Sequence, residues 1–204
     1  MDFFTAPPPP ERKPMKREKR PPWLGLPEDF VGAAVPVDRT LFRTETLAIV
    51  LTDAVVFPEG VTLNVRMAFR RLEGVNDDVW WDRHDQLFDF HGHHGSRLSD
   101  EVIRLGVRFS DGSKATTVDG ALDAEEWPPP RPDGPVLHCR RSGNRTGSDD
   151  FATGHWPLWL WPLPPPEPFE VAVEWPAFEV PLTFTEIDGA PLVAAARRAH
   201  SYWP

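Results

Sequence analysis

The stretch H-W-P-L-W-L-W-P-L-P-P-P (155–166) places three of the chain's nine tryptophans within six residues. In an extended segment, Trp156 and Leu158 would share one face, and Trp159 and Trp161 would share the other. Both faces are therefore apolar, which is typical of a strand that is covered on two sides. We assign no nucleophile, base or ligand to this stretch, and it predicts core architecture.

Two hairpins are predicted upstream of this stretch. Segments 46–56 and 61–69 are rich in β-branched and aromatic residues, and a Pro-Glu-Gly turn separates them. Segments 102–109 and 114–118 flank the sequence S-D-G-S, in which Asp-Gly can supply two positive φ angles. The second pair therefore predicts a hairpin that is closed by a type I′ turn.

The rest of the chain continues the pattern of short strands. Segment 136–140 predicts one strand, and segment 169–175 alternates large apolar residues with glutamate and alanine, so one of its faces should be buried. With the hairpins and the tryptophan-rich stretch, these segments make about seven strands joined by Pro and Gly turns. They predict an all-β fold, a β-sandwich of about seven strands, over residues 21–204.

A single helix is predicted, at the end of the chain. Asp188 is a suitable N-cap, and Leu192, Ala196 and Trp203 recur at helical spacing. The sequence therefore predicts a C-terminal helix over 189–201 that closes one end of the sheets.

Charge is distributed unevenly along the chain. Residues 1–22 carry six Lys or Arg and three acids, a net charge of +3, so the total of −9 leaves −12 for residues 23–204. The body should therefore repel nucleic acid and anionic membranes. Residues 1–20 are rich in proline and charge and predict a disordered basic tail, which would attract nucleic acid only weakly.

The cysteine content and the apolar runs indicate a compartment. Cys139 is the only cysteine, so no intramolecular disulfide can form, and its place in a predicted strand indicates structural burial. No apolar run approaches the ~20 residues that cross a bilayer, and the N-terminus lacks a signal-peptide pattern. We therefore expect a cytoplasmic protein without a membrane span.

Several blocks of sequence carry a family resemblance. They are P-P-W-L-G-L-P-E-D-F (21–30), F-P-E-G-V-T-L-N-V-R (57–66), G-V-R-F-S-D-G-S-K-A-T (106–116), W-P-L-P-P-P (161–166), E-W-P-A-F (174–178), E-I-D (186–188) and the terminal W-P. Through these blocks the chain from Pro21 to Pro204 resembles a family of uncharacterised β-rich proteins from actinomycetes. The resemblance implies no activity, since none is assigned to that family. Members carry a glycine-rich loop in place of 140–150, so it also implies no role for arginines there.

Histidine and aspartate cluster in segment 82–94. Imidazole and carboxylate together suit zinc, iron or nickel. His91 and His93 would share a face of an extended segment, and His84 or Asp89 could fold back to complete a three-ligand site. The segment predicts a divalent transition-metal site, with a metal-dependent hydrolase as a further hypothesis. The alternative is a hydrated polar loop, because the spacing matches no ligand motif, and no other cofactor is indicated.

A candidate ligand or partner surface combines aromatic and basic residues. Exposed Trp80 and Trp81 could stack on a sugar ring or anchor an interface, because they supply a large rigid area at low entropy cost. Arg140, Arg141 and Arg145 add positive charge just after a predicted strand. The alternative is that the tryptophans lie in the core and that the arginines belong to a flexible hairpin loop.

The sequence offers no convergent set of acid, base and nucleophile, so we assign no catalytic residue. We expect a non-enzymatic β-sandwich module that binds a protein partner or forms a homodimer through an edge strand. A metal-binding protein or metal-dependent hydrolase is one alternative. A carbohydrate or small-ligand binder that uses exposed tryptophan is the other.

Overall fold

The computed structural model describes residues 20–86, 99–119, 128–139 and 146–204. Strand is the commonest regular structure in these residues, which confirms the predicted all-β class. The helices are α1 (Asp77–Gln86) and α2 (Ala190–Ala196), with short 3-10 helices at Pro22–Leu24 and Pro176–Phe178. The strands are β1 (Phe30–Val31), β2 (Ala33–Arg43), β3 (Leu47–Val56), β4 (Val61–Arg70), β5 (Arg104–Arg108), β6 (Lys114–Thr116), β7 (Val136–Cys139), β8 (Thr146–Gly147), β9 (Phe151–Trp161), β10 (Phe169–Trp175), β11 (Val180–Ile187) and β12 (His200–Ser201).

The strands form three antiparallel sheets. The large sheet has the order β2-β3-β4-β9-β7, and β8 also pairs with β9. The small sheet has the order β11-β10-β5-β6, and β1 pairs with β12. The predicted hairpins correspond to β3–β4 and β5–β6, so both are confirmed.

One hydrophobic core takes side chains from both larger sheets. Strand β9 contributes Trp156, Leu158 and Leu160, and β10 contributes its buried residues Phe169 to Trp175 at every second position. The rings of Trp156 and Trp175 meet edge to face with their centroids 6.3 Å apart. The predicted alternation of β10 is therefore confirmed, since its other face carries the half-buried glutamates and alanine.

The opposite face of β9 holds a second, smaller cluster. Trp159 and Trp161 lie there with Phe57 and Val136, and residues from the start of the described chain, including Trp23, pack over them. The Trp159 Nε1 donates a hydrogen bond to the Pro22 carbonyl at 2.9 Å. The two apolar faces predicted for the tryptophan-rich stretch are therefore confirmed.

Twelve strands are present in the described residues where about seven were predicted. Three of the additional strands, β1, β8 and β12, are two residues long. An alternation of apolar and polar residues cannot be recognised over so short a length. The other two, β2 and β11, are edge strands of the two larger sheets, and most of their side chains are exposed or half-buried. The sequence did not predict β2 and β11, because both contain polar residues and a proline. Edge strands tolerate such residues, since they bury little apolar area.

The C-terminal helix is shorter than predicted. Asp188 Oδ1 accepts a hydrogen bond from the Ala190 N–H at 2.9 Å, but α2 ends at Ala196 instead of 201. The chain then extends, and β12 pairs with β1. Pairing with a strand far away in sequence replaces the last helical turns, so Trp203 stays exposed instead of packing on a helix face.

Helix α1 was not predicted, because the C-terminal helix was expected to be alone. Asn76 Oδ1 caps α1 by accepting a hydrogen bond from the Asp78 N–H at 2.7 Å. Acidic residues occupy the first turn of α1 and basic residues occupy its last turn. This distribution of charge stabilises the helix through its dipole. Trp80 anchors it, since this ring stacks on Phe69 with the centroids 5.2 Å apart.

The turn between β5 and β6 differs from the predicted type I′ turn. Of Asp111 and Gly112, only the glycine has a positive φ, 86°. Phe109 O accepts a hydrogen bond from the Gly112 N–H at 3.0 Å, and the Phe109 N–H donates to Ser113 O at 2.9 Å. This pattern is a three-residue loop with glycine in the left-handed position, which also satisfies the right-handed twist of the hairpin.

Candidate binding groove on the large sheet

Among the described residues, those that cover the outer face of the large sheet lie at one end of it. The Trp159 and Trp161 cluster lies at that end, beneath the segment that contains Trp23. At the other end a groove of about 360 Å³ remains open. We name it the His155 groove; its lining includes Thr52, Arg66, Ala68, Thr146, Thr153 and His155.

A β-bulge in β3 brings polar side chains to this groove. Leu51 pairs with Val65 and Asp53 pairs with Asn64, so Thr52 is an extra residue without a partner on β4. The buried positions change phase at this point, from Leu51 to Ala54. Bulges re-aim side chains in this way, and here the Thr52 hydroxyl donates to Asp53 Oδ2 at 2.7 Å.

Three strands supply a hydrogen-bonded chain of Asp53, Asn64 and His155. Asn64 Nδ2 donates to Asp53 Oδ1 at 2.5 Å, and Asn64 Oδ1 lies 3.1 Å from His155 Nε2. Because the Asn64 oxygen can only accept, Nε2 must carry the proton in this contact. The neutral ring then has its lone pair on Nδ1.

The surroundings of His155 favour this neutral ring. Partial burial is the largest factor that lowers the pKa of His155. The positive charge of Arg66 lowers this pKa further, and the negative charge of Asp53 opposes both effects. Nδ1 of His155 is therefore a hydrogen-bond acceptor at neutral pH.

The lowered pKa predicts a pH dependence of stability. An unfolded chain protonates this histidine near its ordinary pKa of 6.5 before the folded chain does, so the stabilising contribution is present above that pH and is lost as the pH falls. We expect the difference in unfolding free energy between wild type and His155→Gln, measured by urea denaturation, to be larger at about pH 7.5 than at about pH 5. A difference that grows toward acid pH would contradict the assignment.

Arg66 places a guanidinium beside this histidine. It lies opposite His155 in the β4–β9 register and is exposed. Within the described ranges its guanidinium makes no hydrogen bond or ion pair, whereas those of Arg104 and Arg108 are paired with Glu174 and Glu170. The His155 groove therefore combines an available guanidinium, a ring acceptor and the hydroxyl groups of its threonines.

Of the four predicted metal ligands, one lies within the described residues. His84 lies on α1, 5.1 Å from the Trp81 ring. Asp89, His91 and His93 lie outside the described residues. No group of three or more His, Cys, Asp or Glu side chains within the described residues could hold a metal ion. The metal site stays a prediction.

The predicted partner surface loses one of its rings. Trp80 is fully buried and belongs to the core, because it anchors α1 against Phe69. Trp81 has 44% of its area exposed, so it can present a ring to solvent. The segment with Arg140, Arg141 and Arg145 lies outside the described residues, as does the predicted tail up to residue 19.

Cys139 occupies β7, as the sequence predicted, and packs against the main core. Burial raises the pKa of its thiol to about 11. Since the thiolate is the nucleophilic form, this cysteine is held unreactive at neutral pH.

The comparisons with known proteins add no family. No protein-family model, curated protein or solved structure matches the chain. No helix in the described ranges has the length and apolar character that crossing a membrane requires.

The groove residues were missed by the sequence analysis, which assigned no base or ligand to the stretch that begins with His155. A signal was present, because Thr52 and Asp53 interrupt a strand that is otherwise apolar. Asn64 and Arg66 likewise interrupt β4. Polar residues within well-formed strands are candidates for a site on the outer face.

Proposed function

We propose that the protein is a non-enzymatic β-sandwich interaction module that binds a carboxylate-bearing segment of a protein partner in the His155 groove. The observation that supports this most is the guanidinium of Arg66, which has no partner within the described residues and lies beside His155, whose ring is fixed by Asn64 and Asp53. The other end of the same sheet face is sealed by its own chain. A partner segment would therefore bind this face at its open end, in the His155 groove.

The groove chemistry favours an acidic side chain within a peptide. A guanidinium binds a carboxylate through two parallel hydrogen bonds. The Nδ1 lone pair of His155 accepts a hydrogen bond from a peptide N–H, and Thr146 and Thr153 offer hydroxyl groups at the groove lining. Because residues 23–204 carry a net charge of −12, a single carboxylate is favoured over an acidic run.

The hydrogen bonds around the histidine support binding over catalysis. His155 Nε2 is engaged by an amide oxygen instead of a nucleophile. The Thr52 hydroxyl donates to Asp53, and its oxygen also lies 3.1 Å from the Asn64 carbonyl. Nucleophilic catalysis needs a hydroxyl or thiol within hydrogen-bond reach of the base, and the high pKa of Cys139 makes its thiol a poor candidate.

An NMR titration tests the proposed groove. The probe is an acetylated, amidated Gly-Gly-Glu-Gly peptide, which carries a single carboxylate, and Gly-Gly-Gln-Gly is its uncharged counterpart. We expect the acidic peptide to shift the amide resonances of Arg66, Thr153 and His155, and we expect Arg66→Met to weaken binding about tenfold or more, since charged hydrogen bonds contribute about 1.5–3 kcal/mol.

The matched control is Arg39→Met, because Arg39 is exposed on β2 of the same sheet. This variant should bind the acidic peptide like wild type. Equal binding of both peptides, or an equal loss in both variants, would reject a carboxylate site at Arg66. Turnover of a substrate by the intact chain would reject a non-enzymatic module.

A second candidate function is carbohydrate binding at Trp81. Its ring is 44% exposed, and the edge-to-face contact with His84 holds it on α1. Aromatic faces of this kind stack on sugar rings. If a glycan array yields a ligand, we expect Trp81→Ala to abolish binding without changing the melting temperature. Val79→Ala, at a side chain of similar exposure on α1, should retain it; loss in both variants would contradict a Trp81 platform.

A further inference from the structure

A second groove, of about 570 Å³, lies where the β5–β6 turn faces two proline-rich loops. Pro132, Pro135, Pro162 and Pro165 give its lining an apolar character. We name it the proline groove. The Arg131 guanidinium lies 5.2 Å above the Trp161 ring at its side.

The exposed side chains of this groove are mainly acidic. Asp111, Asp133 and Glu167 face one cation, Arg131, which leaves a charge of −2 from three acids and one base. Asp133 and Glu167 make no hydrogen bond or ion pair within the described part of the chain. The side-chain hydrogen bond from Ser113 is the largest factor that lowers the pKa of Asp111, so this carboxylate is ionised at neutral pH.

The start of the described chain lies beside the same groove. The Trp23 ring is 5.8 Å from the ring of Trp161, which lines the groove. Trp23 Nε1 also donates to the Pro129 carbonyl at 3.3 Å, next to the loop that holds Arg131. Arg20 precedes Trp23 by three residues, a span of about 11 Å at most. The chain before Arg20 is therefore tethered within reach of the groove.

The sequence before this point is complementary to the groove in charge and in residue type. Residues 7–20 read P-P-P-P-E-R-K-P-M-K-R-E-K-R, with six basic and two acidic residues, a net charge of +4. Proline favours the extended polyproline II conformation, and such segments bind in grooves lined by apolar rings. Acidic side chains around the groove select for a basic segment.

We propose that residues 7–20 of the same chain bind in the proline groove. We favour this segment over a similar segment of another molecule because it is covalently attached close to the groove. A short linker keeps such a segment at a local concentration in the mM range.

Trypsin cleavage of the full-length chain tests this proposal. The fragments released by cleavage after Lys16 and Lys19 are followed by mass spectrometry, and a synthetic peptide of residues 1–20 is the unprotected reference. We expect cleavage to be slower by about tenfold in the intact chain than in the peptide. This is the protection expected when the local concentration of the tail is about ten times its dissociation constant for the groove. The rate should not depend on protein concentration.

Variants separate the groove from other parts of the surface. Asp111→Asn, Asp133→Asn and Glu167→Gln together should raise the cleavage rate to that of the peptide, and asparagine at 111 keeps an acceptor for Ser113. The matched control, Asp38→Asn with Glu45→Gln and Glu186→Gln, removes three exposed carboxylates elsewhere and should leave protection intact.

Three results would overturn the proposal. They are equal cleavage of intact chain and peptide, protection that survives the groove substitutions, and protection that increases with protein concentration. The last would assign the groove to the tail of a second copy. Melting temperatures of both triple variants, which alter only exposed side chains, should match wild type and would show that the comparison concerns docking.

Discussion

Replacement of Trp156 by alanine is expected to lower the free energy of unfolding by about 3–5 kcal/mol. The side chain is 2% exposed, and its ring meets Trp175 of the opposite sheet with the centroids 6.3 Å apart. Alanine removes this contact and leaves a cavity between the two sheets, which the strands cannot close because β9 is paired along ten residues of β4. Urea denaturation followed by far-ultraviolet circular dichroism measures the change.

Trp203→Ala is the control for this prediction. Trp203 is 76% exposed, so its removal should change the unfolding free energy by no more than about 0.5 kcal/mol. Comparable losses in the two variants would show that Trp203 is buried and would contradict the exposed position that it has beyond β12.

Gly189→Ala is expected to destabilise the protein by about 3 kcal/mol or more, the upper end of overpacking effects. A Cβ at this position would lie 2.2 Å from Pro165 O and 2.6 Å from Glu167 O. Both atoms are backbone, so no side-chain rotation can relieve the clash. The backbone of Gly189 is itself compatible with alanine, with φ −78° and ψ −24°. The loss would therefore be steric, and thermal and urea unfolding should both detect it.

Gly134→Ala is the matched control, since no atom lies within 4 Å of a Cβ built there. We expect a change within about 0.5 kcal/mol. If Gly189→Ala were equally neutral, the close approach of the 165–167 backbone to the start of α2 would be wrong.

The strong local patterns of the sequence predicted much of the strand structure. The alternation in β9 and β10 follows from the period of two along a strand, and the structure buries the same faces. The β5–β6 hairpin was also predicted, because Gly112 supplies a backbone conformation that few residues adopt. The three-residue loop was not, since the hydrogen bonds of Phe109 that define it depend on the register of the strands.

The residues of the His155 groove could not be found from spacing. Asp53, Asn64 and His155 are separated by 11 and 91 positions, and they meet only because β3, β4 and β9 are neighbours in one sheet. The bulge at Thr52 then sets which side chains face outward. The sequence placed the candidate chemistry at His84, Asp89, His91 and His93, where histidines are dense along the chain.

The sequence by itself determined the strand class, the two-faced burial of β9 and the position of both hairpins, because these depend on neighbouring residues and on backbone preference. Tertiary structure alone decided that Trp80 is core and Trp81 is surface, that α2 ends at Ala196, and that Arg66 lies beside His155. Each of these depends on which distant segment supplies the buried contact or the pairing partner. Local sequence does not encode that choice, since it is made by the free energy of the whole core.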